Sequence, residues 1–232
     1  MPIFSAAISQ TLYDYINGLI TAEQAGPDVV ALAALLNPIF GTDGEDRLSG
    51  TSAADVLFGG ASQDFFFGGK GNDLIYTGSG TDYVRAGAGD DTLLGEDGDD
   101  RISGDAGDDR ISGDAGDDRI SGDAGDDKLY GGDGNDIIAG GTGNDQIYGG
   151  IGDNTLIGGS GNDIIHLDNG VNIATGGAGS DVFIFQNGGA TDAENVITDF
   201  QLGADTIQFG GVTFSADRFY SSGSVMRYLM DG

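Results

Sequence analysis

The stretch "ISGDAGDDRISGDAGDDRISGDAGDDK", Ile102 to Lys128, writes one nine-residue unit three times and changes only its final residue. It sets aspartates in step with too few basic residues beside them to neutralise the charge. Followed outward, the same period runs without insertion from Gly41 to Ile184, and these 144 residues make sixteen units. Position 1 is Gly in 13 of them, position 4 is Gly in 14, and position 6 is Asp in 14, with Asn154 and Asn172 as the exceptions. Position 8 is large and apolar in 15 of the 16, from Leu48 to Phe183, with Ala174 the exception. An isolated acidic cluster is ordinarily a solvated face. A register held this long asks for another explanation.

Each unit reads as a six-residue turn rich in Gly and Asp, followed by a three-residue strand with one inward side chain. One turn and one strand reverse the chain once, so two units close a coil and unit n lies above unit n + 2. The expected fold is therefore all-β: a parallel β-roll of about eight coils stacked at strand spacing, roughly 38 Å long. Two parallel sheets would enclose the side chains of the eighth position between them.

Stacking brings position 6 of unit n to about 5 Å from position 6 of unit n + 2, where two carboxylates repel by on the order of 1 to 3 kcal/mol. Summed over a dozen pairs, that repulsion forbids the stack. A hard divalent cation between adjacent turns reverses its sign, taking carboxylates from two coils and completing its shell from backbone carbonyls. Calcium suits such a site better than magnesium, which holds its water. The ligands expected are Asp46, Asp64, Asp73, Asp82, Asp91, Asp100, Asp109, Asp118, Asp127, Asp136, Asp145, Asp163 and Asp181. Fourteen unit pairs are related by n and n + 2, and two contain Asn154, which leaves twelve Asp–Asp sites. Twelve ions carry 24 positive charges and would take the net charge from -29 to about -5.

Composition agrees. With 38 acidic residues against 9 basic ones, the chain is unsuited to nucleic acid or an anionic membrane and calls for cations. The 45 glycines accompany only 3 prolines and serve turns. There is no Cys, so disulfides cannot staple the fold and a metal takes their place. The longest apolar run, Val29 to Leu36, is far short of the roughly 20 residues of a membrane span. The N-terminus lacks the basic start of a cleaved secretory signal, the first Lys or Arg being Arg47.

Units such as "GGKGNDLIY", "GGDGNDIIA", "GGTGNDQIY" and "GGSGNDIIH" resemble the repeats-in-toxin (RTX) nonapeptide, Gly-Gly-x-Gly-x-Asp-x-apolar-x. The resemblance implies a calcium-binding parallel β-roll, folding triggered by calcium, and export by a type I secretion channel through an uncleaved C-terminal signal. The pattern varies in places. Position 2 carries Glu96, Asp105, Asp114 and Asp123 in the central block; Asp tolerates a left-handed turn better than Glu, and the roll is expected to continue through them. The units "GTSAADVLF" (50–58) and "LDNGVNIAT" (167–175) depart most, so weak or empty sites are expected at both ends.

The domain reading is 1–40 as a helical N-terminal cap, with helices at about Ser5–Leu19 and Pro27–Leu36, 41–184 as the roll, and 185–232 as a C-terminal β cap carrying the export signal. Outward positions 7 and 9 are Arg and Ser in the central block but Phe58, Phe65, Phe67, Leu74, Tyr76 and Leu94 nearer the start. These side chains are either covered by the flanks or contact another molecule. His166, the only histidine, lies at the outward ninth position and is expected at the surface, and no zinc-helix, nucleophile-elbow, P-loop or EF-hand motif occurs. The function expected is a secreted, extracellular, non-enzymatic calcium-binding protein, possible partners being other copies of itself or other extracellular proteins, and a role in a surface layer, filament or matrix. The alternative is a folding and export module of a larger enzyme or toxin.

Overall fold

The computed structural model describes residues 38–186, 194–210, 219–222 and 225–229, the last two stretches by backbone alone. Every regular element in them is a β-strand. Strands of the periodic region alternate between two sheets, one of ten strands and one of eleven, and each pairs there with the strand two places on in sequence. The pairing is parallel throughout the periodic region and keeps one shift, Arg101 to Arg119 to Ile137 in one sheet and Arg110 to Lys128 to Gln146 in the other. That shift is two units per coil, as the period requires. The expected helical cap over 1–40 falls outside the described residues, apart from Ile39–Phe40, a strand paired with Leu57–Phe58.

Most strands are longer than the sequence pattern suggested. Arg101–Ala106 and its equivalents run for six residues, from position 7 of one unit to position 3 of the next, and leave three residues for the turn. Position 1 is the reason. Its glycine lies buried inside the strand, so positions 8 and 1 both face the interior, as Ile111 and Gly113 do in Arg110–Ala115. Position 2 then bends the strand without ending it. From Gly60 to Gly159 its residues lie at positive φ, including Glu96 at 62°, Asp105 at 70°, Asp114 at 68° and Asp123 at 72°. The roll does continue through the non-glycine residues there.

The turn itself depends on position 4. Gly107 has φ 133°, and a Cβ placed on it would fall 2.0 Å from the carbonyl oxygen of Gly89 on the neighbouring coil. Gly107→Ala is expected to cost about 1–3 kcal/mol, read as a lower melting temperature in millimolar calcium. An unchanged melting temperature would refute this account of the turn.

The core is a single file of side chains at the eighth position of each unit, contributed by both sheets. Leu57, Phe66, Ile75, Leu93, Ile111, Leu129, Ile147 and Phe183 are all fully buried. At the C-terminal end Leu167 and Phe185 take over the position 1 file and thicken it. The sheets run on past the last full unit: Thr206–Gly210 pairs in parallel with Val182–Gln186, and Val225–Leu229 joins the other sheet antiparallel to Glu194–Ile197, with Phe219–Ser222 antiparallel at its edge.

The outward aromatic residues fall into two groups. On the ten-stranded sheet Val56, Leu74 and Tyr76 are buried within the chain, with Phe58 and Leu94 packed against them. On the eleven-stranded sheet Phe65 and Phe67 line an open groove of about 450 Å³. His166 is not the exposed side chain expected from its position. It is 9% exposed and stacks 4.1 Å from Tyr148, which itself stacks 4.8 Å from Tyr130, because equivalent positions recur at rung spacing.

Candidate functional site

The aspartates of the sixth position form two files, one at each edge of the roll. In each file the side chain reaches back one coil: the N–H of Asp91 donates to Asp109 Oδ1 at 2.7 Å, and that of Asp109 donates to Asp127 Oδ1 at 2.8 Å. The same bond recurs along the second file from Asp55 to Asp205, and along the first from Asp46 through Asp136 to Asn154, Asn172 and Asn195. Each aspartate is thus placed by the coil before it, with one oxygen engaged and the other fixed in direction.

That second oxygen is the chemical feature of the molecule. Oδ2 of Asp64, Asp73, Asp82, Asp91, Asp100, Asp109, Asp118, Asp127, Asp136, Asp145, Asp163 and Asp181 is buried and has no hydrogen-bond partner. Leaving even one buried acceptor unsatisfied costs about 1–3 kcal/mol; twelve in two files require a counter-ion. Carbonyl oxygen of the next coil lies beside that second oxygen. A Cβ placed on Gly104 would fall 2.2 Å from Asp109 Oδ2 and 2.9 Å from the carbonyl oxygen of Gly122, so the carboxylate and the next coil's carbonyl meet over a residue that must lack a side chain. Among the described residues no three His, Cys, Asp or Glu converge on one point. Any ion here draws most of its shell from carbonyls, a donor set that suits a hard cation such as calcium.

Both ends of the files are closed by protein donors instead. Asp46 Oδ2 accepts from Thr42 N at 2.6 Å and Thr42 Oγ1 at 2.8 Å, and Asp55 Oδ2 accepts from Thr51 in the same way. Asp205 Oδ2 accepts from Gln201 N at 2.7 Å. Where the first file turns to asparagine, the side chain donates instead: Asn154 Nδ2 donates to the Gly152 carbonyl at 3.2 Å and Asn172 Nδ2 to that of Asp168 at 3.3 Å. Twelve of the thirteen expected ligands therefore carry the orphaned oxygen, and Asp46 does not.

Burial is the main influence on these carboxyls. It raises Asp109 to about 8, Asp73, Asp100 and Asp118 to about 7, and Asp91, Asp127, Asp136, Asp145 and Asp163 to about 6, against the opposing pull of the N–H each accepts. Neighbouring carboxylates add to the rise.

Two features escaped the period. Asp205 extends the second file, accepting from Asp181 N, although 24 residues separate them; the signal was the half-unit "GADTIQF", with Asp205 and Ile207 at positions 6 and 8. Position 5 forms an outer ladder that runs in the opposite sense, Asp108 N donating to Asp90 Oδ1 and Asp126 N to Asp108 Oδ1. Asn or Asp at position 5 in most units from Asn72 to Asn162 was the readable trace.

The model of the RTX calcium-binding nonapeptide repeat matches the chain four times in succession, at 40–75, 76–111, 112–147 and 148–183. No curated protein matches it. Among the described residues no helix is long and apolar enough to cross a membrane.

Proposed function

This chain belongs to the RTX calcium-binding nonapeptide-repeat family, and we propose that it is a secreted, non-enzymatic protein whose roll folds around calcium outside the cell and serves as a structural element of an extracellular assembly. The observation that carries this reading is the double file of twelve buried, unpartnered Oδ2 atoms. With its carboxylates ionised such a file cannot stack in water without cations, so above neutral pH the folded state and the calcium-bound state are one state. Asp64, Asp82, Asp100, Asp118 and Asp136 would hold ions along the first edge, and Asp73, Asp91, Asp109, Asp127, Asp145, Asp163 and Asp181 along the second. When bound, calcium supplies positive charge and extra coordination between rungs. The protein supplies the spacing, the fixed carboxylate direction and the carbonyls. A chain built mostly of this roll, with apolar residues on an open face, suits a construction element better than a catalyst.

Sedimentation velocity in millimolar calcium tests the assembly role: oligomers are expected, and a strict monomer at high concentration would overturn it. Titration calorimetry with two variants tests the sites. Asp109→Asn is expected to fold with one or two fewer ions, because its amide can settle as that of Asn154 does. Asp109→Ala removes the acceptor for Asp91 N–H as well and should be less stable than Asp109→Asn by about 1–3 kcal/mol. An unchanged ion count in both variants would refute the assignment.

A further inference from the structure

We infer that the outer face of the eleven-stranded sheet is the docking surface for a second copy of this chain, which presents its own aspartate-lined turn edge. The inference rests on the assembly role proposed above and names the surfaces that build it.

The face is unlike the rest of the molecule. In a chain of net charge -29, positions 7 and 9 of this sheet from Arg47 to Thr175 hold four arginines and no acidic residue. Arg85, Arg101 and Arg119 lie on three consecutive rungs, all exposed. Beside them runs the groove of about 450 Å³, its lining including Phe65, Phe67, Tyr83 and Ile137. The opposite sheet differs: its outward Val56, Leu74 and Tyr76 are buried within the chain, and its Arg110 and Lys128 are half-buried, each over the Tyr130 ring.

The ring faces in the groove are already occupied. Phe65 stacks on Tyr83 at 5.2 Å, the Arg101 guanidinium lies 5.1 Å from the Tyr83 centroid, and that of Arg47 lies 4.4 Å from the Phe67 centroid. A sugar platform needs free ring faces, so a glycan fits poorly. What the face offers is a shallow apolar floor and the exposed guanidiniums of Arg101 and Arg119 in register on adjacent rungs, with Asp105 and Asp123 of the same strands engaged by Arg85 and Ser103. Arg85 is held by Asp105 at 2.8 Å, while the Arg119 guanidinium has no ion pair or hydrogen bond among the described residues. The partner must therefore be anionic, with small apolar groups at the same repeat.

A second copy meets that description by construction. Its turn edge carries Asp90, Asp108 and Asp126 on three consecutive rungs, exposed and tied in one ladder, with the exposed methyls of Ala88, Ala106 and Ala124 two places before them in sequence. Both rows repeat at the strand spacing of about 4.8 Å, so they match rung for rung. Single exposed ion pairs contribute little, about 0–1 kcal/mol each; a matched row over an apolar floor is what gives register. Face and edge are different sides of one molecule, so the contact is heterologous and propagates into a filament or sheet unless it closes.

The test is sedimentation velocity on the full chain in millimolar calcium, with circular dichroism to establish folding. The wild type should associate, at least about tenfold more weakly in 500 mM than in 50 mM salt. Arg101→Glu with Arg119→Glu, both exposed, should stay folded and monomeric. Asp108→Lys with Asp126→Lys should also fail to self-associate, and a mixture of the two doubly substituted chains should assemble again. A wild type that assembles while the arginine variant assembles equally well would overturn this surface and leave the assembly role standing. A monomeric wild type would overturn both. Should the aspartate variant fail to fold, the arginine variant decides alone.

Discussion

In a calcium chelator at pH 7.5 the chain is expected to lose its β-sheet signal, and to regain it in one cooperative transition when millimolar calcium is restored. The core explains why. Each nine-residue unit buries one large apolar side chain, such as Ile111 or Leu129, and a glycine. That is a thin return for ordering nine residues, each of which costs about 1–2 kcal/mol of backbone entropy. Against it stand two files of carboxylates whose Oδ2 atoms are buried and unpartnered. Neither backbone pairing nor the apolar file removes that charge, so the ions decide the balance. Cooperativity follows from the ladder. Asp109 is fixed through Asp127 Oδ1 and fixes Asp91 in turn, so a site lost on one coil loosens those on either side. Far-ultraviolet circular dichroism follows the sheet. The near-ultraviolet signal comes from the 8 tyrosines, there being no Trp, and should collapse as the Tyr130–Tyr148 stack separates. A β signal unchanged after chelation would refute the cation requirement.

The nine-residue count made the stacking order, the position 8 core and the two aspartate files legible before any coordinates. A period reports which residue recurs, and stacking turns recurrence directly into contact. What it does not report is the direction of a hydrogen bond. The Oδ1 bond from each aspartate to the previous coil, and the opposite sense of the position 5 ladder, depend on backbone orientation inside the turn. Strand length was misjudged for the same reason: a buried glycine at position 1 looks like a turn residue in sequence, yet it lies within the strand. Counting also stops where the spacing changes. Asp205 sits 24 residues beyond Asp181, and its place in the file shows only once Thr206–Gly210 is seen pairing with Val182–Gln186. Thr42 and Thr51 occupy position 2 like many polar residues, and nothing in one sequence marks them as the groups that close the first coil. The burial of His166 was missed because stacking on Tyr148 needs the rung spacing as well as the outward position.

Without calcium, acid is expected to do part of the cation's work: in chelator, the sheet lost at pH 8 should return as the pH falls towards 5. The carboxyl of Asp109 is raised to about 8 in the stacked state, those of Asp73, Asp100 and Asp118 to about 7, and those of Asp127 and Asp145 to about 6, with burial the first cause. An unfolded chain holds these groups near the ordinary value of about 3.9. Between roughly pH 4 and 8 the metal-free folded state therefore binds more protons than the unfolded one. By linkage its stability falls as pH rises through that window, and it is favoured below it. Protonation also puts a hydrogen on the orphaned Oδ2, which can then donate to a neighbouring carbonyl. With calcium present the dependence inverts, since protons and the cation compete for the same oxygen and the affinity for calcium should weaken as pH drops below about 6. Circular dichroism across pH 4 to 8, in chelator and in millimolar calcium, separates the two regimes. Opposite slopes are expected, and a chelated chain that remains unfolded at pH 5 would mean that the buried carboxylates are not what keeps the metal-free roll apart.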